Sequence, residues 1–133
     1  MVIKWSKELE EVLNTVNGHL VNACKIITKD GALFKNNDNM YYTQCMCITV
    51  YNLIGDVLDE VDEFAIDNRY NPIDMKQLGV LLFKLIVVES MTEEYRKELI
   101  ALGIACEEVL NEIYRCSEPL QKFVRRLIPP VEQ

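Results

Sequence analysis

Cys47-Ile48-Thr49-Val50-Tyr51-Asn52-Leu53-Ile54-Gly55-Asp56-Val57-Leu58-Asp59-Glu60-Val61-Asp62-Glu63-Phe64 decides the fold of this chain. Its first five residues are rich in β-branched and aromatic types and, taken alone, suit a strand. Yet Cys47, Val50, Ile54, Val57, Val61 and Phe64 recur at alternating steps of three and four. That spacing keeps one face of a helix apolar for about five turns, which no strand can do.

Working outward, three further stretches carry the same pattern. The first holds Leu9, Leu13, Val16, Leu20, Ala23 and Ile27. The next holds Met75, Leu78, Leu82 and Leu85, and the last Tyr95, Leu99, Leu102, Cys106, Val109, Ile113 and Cys116. The chain is therefore predicted to be all-α: an antiparallel four-helix bundle with a short fifth C-terminal helix. It forms one domain over residues 1–133, with 1–5 and 128–133 as loose ends. At this length a single core buries about two-thirds of the unfolded surface, so no disulfide or metal is needed.

The boundaries follow from capping chemistry. Ser6 is a good N-cap for the first helix, and Glu8, Glu10 and Glu11 oppose the positive end of its dipole. Lys29-Asp30-Gly31 is expected to end it, with Gly31 beyond the last turn. The Asn-rich loop 31–39 follows, with Leu33 and Phe34 packing down on the bundle. The second helix is predicted from about Met40 to Asp67, and the turn at 68–72 is closed by Pro72. The third covers about Ile73 to Glu89. Ser90-x-x-Glu93 matches a capping box and opens the fourth, which runs to about Cys116. Pro119 suits the first turn of a fifth helix carrying Leu120, Phe123, Val124 and Leu127, stopped at Pro129-Pro130.

From Leu78 to Val88 only Lys84 is charged, and apolar side chains point all round the third helix. A helix of that kind is buried, so it is expected to be the most buried of the set. Its extra face needs a cover: the fifth helix with the long loop, a second copy of the chain, or a partner's helix. Trp5, Tyr41, Tyr42 and Tyr70 either seal bundle ends or mark an interface.

The chain has 14 Lys and Arg against 21 Asp and Glu, a formal charge of -7. That balance argues against a nucleic-acid binder and against docking on anionic lipid. It fits a partner with a basic surface, and also plain solubility. The five cysteines are odd in number, include no CxxC pair and lie mostly in or beside apolar stripes. With no apolar leader in Met1–Lys7 and no run of about 18 apolar residues, a reducing compartment, the cytoplasm, is expected.

The clearest polar feature is Asp56 to Asp67, with six acids and no base. At about 100° per residue, Asp56, Asp59, Glu60, Glu63 and Asp67 fall within about 100° of arc, pointing away from the Val57/Val61/Phe64 stripe. Like-charge pairs at i,i+4 each destabilise a helix by roughly 0.2–0.5 kcal/mol. Repeating them suggests a cationic counterpart, either Lys122, Arg125 and Arg126 of the same chain or a basic surface on a partner. A solvated face is the bland alternative.

Chemistry of other kinds finds little support. A di-iron bundle needs Glu-x-x-His twice, and the only histidine, His19, has Val at position 16. Glu8-x-x-Glu11 and Glu60-x-x-Glu63 resemble the Mg2+-binding acid pairs of all-α nucleotide pyrophosphohydrolases. Those also need a Glu-x-x-Asp pair on a following helix, which is lacking here. Cys45 and Cys47 point to nearly opposite helix faces and make a poor zinc pair. The chain is thus expected to carry no catalytic, metal or cofactor site. It reads as a small interaction module (adaptor, inhibitor or regulatory subunit) that docks a partner or a second copy through the acidic face and apolar helical surface. The alternatives are a carboxylate/Mg hydrolase, a small-molecule carrier with a pocket near Cys47, Cys106 and Phe83, and a structural homo-oligomer.

Overall fold

The computed structural model describes residues 2–35, 37–104 and 107–127. Among these residues there is no strand. Four long helices pack against one another: α1 (Lys7–Phe34), α2 (Tyr41–Asn68), α3 (Met75–Ala101) and α4 (Glu108–Leu127). A single 3-10 turn, Asp38–Met40, leads into α2. α1 packs on α2 and α4, and α3 packs on the same two, so the helices form a ring round one core. Paired residues run in opposite orders along neighbours: Glu8 meets Arg126 and His19 meets Glu112, while Lys84 meets Glu60 and Gln77 meets Asp67. Every apolar position of the first two stripes is buried.

α1 starts where expected, with the Ser6 hydroxyl accepting the Leu9 N–H at 3.1 Å. It does not stop at Gly31. Phe34 lies two turns beyond Ile27 on the same face and is fully buried, and that burial carries the helix through the glycine. Leu33, expected to pack, is exposed instead. The segment before α1 is held rather than loose. Ile73 N–H donates to the Ile3 carbonyl at 2.8 Å, and Trp5 lies 6.2 Å from the Phe64 ring with the Arg69 guanidinium over it. Trp5 thus seals one bundle end, whereas Tyr41, Tyr42 and Tyr70 are exposed. The expected loose end at 128–133 lies outside the described residues.

Asn68 builds the turn between α2 and α3. Its Nδ2 donates to the Phe64 carbonyl and to Gln77 Oε1, both at 2.8 Å, and its Oδ1 accepts the Asp74 N–H at 2.7 Å. Asp74 in turn caps α3 by accepting the Lys76 and Gln77 N–H groups. The third helix therefore begins at Met75 rather than Ile73.

Two expected boundaries are absent. Ser90 sits inside α3, which runs on because its core face continues through Leu85, Val88, Thr92, Tyr95 and Leu99. The Thr92 hydroxyl donates to the Val88 carbonyl at 2.7 Å, so it needs no break in the helix. The stop lies at Gly103, whose positive φ of 77° suits glycine. Leu102, Gly103 and Ile104 N–H groups there satisfy the carbonyls of the last turn. No separate fifth helix forms either, since Pro119 lies within α4. The stripe Ile113, Cys116, Leu120 and Val124 stays in phase across the proline, and its burial offsets the missing hydrogen bond.

α3 is not the most buried helix. Val80, Phe83 and Ile86 are exposed, Phe83 at 66% of its full area, because among the described residues no helix covers the outer side of α3.

Candidate docking surface

The acids of α2 and the exposed residues of α3 form one continuous surface. Asp56, Asp59, Glu63 and Asp67 are exposed, and Glu60 is half-buried at the α2–α3 seam. Lys84 Nζ donates to Glu60 Oε2 at 3.0 Å. That hydrogen bond holds the Lys84 ammonium above its ordinary pKa range, with the charges of Glu60, Asp56 and Glu63 adding to it against some desolvation. Asp67 Oδ2 accepts from Gln77 Nε2 at 3.0 Å. Asp56, Asp59 and Glu63 are thereby left towards solvent with one neighbouring cation among them.

The counterpart proposed within the chain is not the one the structure uses. Lys122 pairs with Glu118 at 2.8 Å, Arg126 with Glu8, and Arg125 bonds Gln121 Oε1 at 3.4 Å. All three lie on α4, which packs on α1 and α3 and not on the acid row. Lys84, which supplies the counter-charge, was hidden in sequence as the lone charge of an apolar helix.

Beside the acids runs the apolar row of α3. Lys84 marks the side facing α2, and Glu89, bonded to Ser117 Oγ at 3.0 Å, marks the side facing α4. At about 100° per residue, Val80 and Val87 lean to the α2 side, Ile86 to the α4 side, and Phe83 stands at the crest. Gly79 lies on this same exposed face, and a Cβ there would meet nothing within 4 Å. Sequence reasoning found the acid row and expected this apolar row to be covered, by the fifth helix with the long loop, a second copy or a partner's helix; within the described chain it is left uncovered.

Elsewhere the residues weighed for chemistry do not converge. Glu8 faces α4 and Glu60 faces α3, so the two acid pairs point to different seams. Among the described residues no group of three or more His, Cys, Asp or Glu is placed to hold a metal ion. His19 Nδ1 lies 2.6 Å from Glu112 Oε2 across the α1–α4 seam. Cys47 is buried under a shallow apolar cavity of about 240 Å³ lined by Ile27, Thr28, Gly31, Ile48 and Tyr51. Its thiol bonds the Ile27 carbonyl, and burial pushes its pKa up, so it is a poor nucleophile. Phe83 lies on a different face from that cavity, and Cys106 lies outside the described residues. No described helix is long and apolar enough to cross a membrane. No protein-family model matches the chain, and no curated protein or solved structure does so either.

Proposed function

We propose that this chain, an antiparallel four-helix bundle, is a protein–protein interaction module working in a reducing, cytoplasmic setting. It docks a partner through the α2 acid row and the α3 apolar row together. The partner surface that fits is helical, apolar along its centre and basic along one edge. Buried contact at Phe83 supplies affinity, while Asp56, Asp59 and Glu63 supply steering and register.

The observation that carries this proposal is the contiguity of the two rows. Large apolar side chains stand exposed on α3 beside carboxylates with few cations of their own. Exposed apolar patches rimmed by charge are a feature of interaction sites. The reducing setting rests on the five cysteines being odd in number and without a CxxC pair. A hydrolase or a carrier draws less support, since the acid pairs diverge and Cys47 and Phe83 lie apart.

The test is fluorescence anisotropy with a labelled synthetic helix bearing Leu on one face and Lys along its edge. Saturable binding is expected, weakened by added salt and by Asp59→Lys/Glu63→Lys, and abolished by Phe83→Asp. Equal binding by all three proteins, or none by the wild type as a monomer, overturns the proposal.

A further inference from the structure

The α3 face has two unlike flanks. On the α2 side stand Asp56 and Glu63. On the α4 side stands Arg125, whose bond to Gln121 is its one polar contact among the described residues. Glu118 on that side is already paired with Lys122, and Glu89 with Ser117. Read across the face, Glu63 and Arg125 stand as opposite charges on either side of the apolar row.

The seams fix the register of the flanks. Lys84 meets Glu60 and Gln77 meets Asp67, so Glu63 lies level with Leu81. Across α3, Glu89 meets Ser117 and Glu93 meets Tyr114, so Arg125 also lies level with Leu81. Glu63 and Arg125 thus stand at the same height on opposite sides of the Val80–Phe83 row. At this pair the surface is complementary to itself. Turned about a two-fold axis parallel to α3, each apolar row meets the other and the flanks exchange. A two-fold axis across α3 in the same plane instead lays acids on acids.

We propose that the occupant of the docking surface is a second copy of this chain. The dimer packs α3 on α3 about a two-fold axis parallel to that helix, with Glu63 facing Arg125 of the partner subunit. The inference rests on the docking surface proposed above and names what fills it.

Sedimentation velocity of the whole chain over a concentration series, at low and high salt, tests this. The wild type is expected to dimerise and Phe83→Asp to stay monomeric with unchanged helix content by circular dichroism. Glu63→Arg and Arg125→Glu alone should each raise the dimer dissociation constant by about tenfold or more, and the double variant Glu63→Arg/Arg125→Glu should recover most of the loss. A wild type that stays monomeric throughout overturns the inference. So does a dimer indifferent to Phe83→Asp, or a double variant no better than the singles. A monomeric wild type that still binds the Leu/Lys probe helix leaves the docking surface standing with a different protein as occupant, whereas a monomer that binds no probe overturns both.

Discussion

Lys84 Nζ lies 3.0 Å from Glu60 Oε2, and this pair links the most acidic stretch of the chain to the helix that carries the exposed apolar row. Lys84 is the one cation among Asp56, Glu60 and Glu63, and its own flexible stem lies along the α2–α3 seam. The pair therefore bears on both stability and docking.

Replacing Lys84 with Met leaves those carboxylates mutually repelling. Because the pair is partly exposed, the expected loss is modest, about 0.5–1 kcal/mol, and larger at low salt. The pH dependence has a defined sign. A lysine whose folded pKa is raised contributes stability that is complete below its unfolded value near 10.4 and vanishes as pH rises through the folded value. Urea denaturation of both proteins should show a constant gap at neutral pH that closes in strong alkali. A gap that widens in alkali contradicts the pairing.

Asn68 offers a sharper test of the fold, since at 1% exposure it holds the α2–α3 turn through three hydrogen bonds. Asn68→Ala leaves the Asp74 N–H without its acceptor and opens a small void. A loss of about 2–4 kcal/mol is expected, since each buried group left unsatisfied costs about 1–3 kcal/mol. Asn68→Asp should be at least as damaging, because it keeps the acceptor, removes both donors and adds a charge beside Asp67 and Asp74. Chemical denaturation at neutral pH separates these; near-neutral values for both would show the turn to be held by other means.

These contacts also mark where sequence reasoning succeeds and where it stops. The phase of α1 and α2 is legible because Leu9 to Ile27 and Cys47 to Phe64 repeat one rule without interruption. The capping box at Ser90 misleads, because a local motif competes with a core stripe that continues past it to Leu99. Gly31 and Pro119 mislead for the same reason: burial of Phe34 and Leu120 outweighs one unfavourable backbone position. The acid row is legible from spacing along one helix. Its partner Lys84 is not, since that pairing depends on the register of two helices. The exposure of Phe83 is hidden likewise, because composition gives the apolarity of α3 but not how many neighbours surround it.

Pro119 provides a direct measure of that trade. It lies within α4, where it removes one hydrogen bond and crowds the carbonyl of Arg115. Pro119→Ala restores the N–H and should stabilise the chain by about 1–2 kcal/mol, less than the full penalty of about 3 kcal/mol because the unfolded chain gains freedom as well. Thermal unfolding followed by circular dichroism reads the change. A lower Tm would mean that the ring's packing beside Val12 and His19 matters more than the backbone defect.

Gly79 separates stability from function. It is helix-interior, and an added Cβ would meet nothing within 4 Å, so Gly79→Ala should stabilise the monomer by up to about 1 kcal/mol. The same methyl stands beside Phe83 on the docking face and holds an approaching backbone away. Binding of the Leu/Lys probe helix, and dimerisation, should therefore weaken while Tm rises. Changes of opposite sign cannot come from damage to the fold, which would lower both. If Tm and binding rise together, Gly79 serves neither docking nor close approach, and the contact must centre on Val80 and Val87 towards α2.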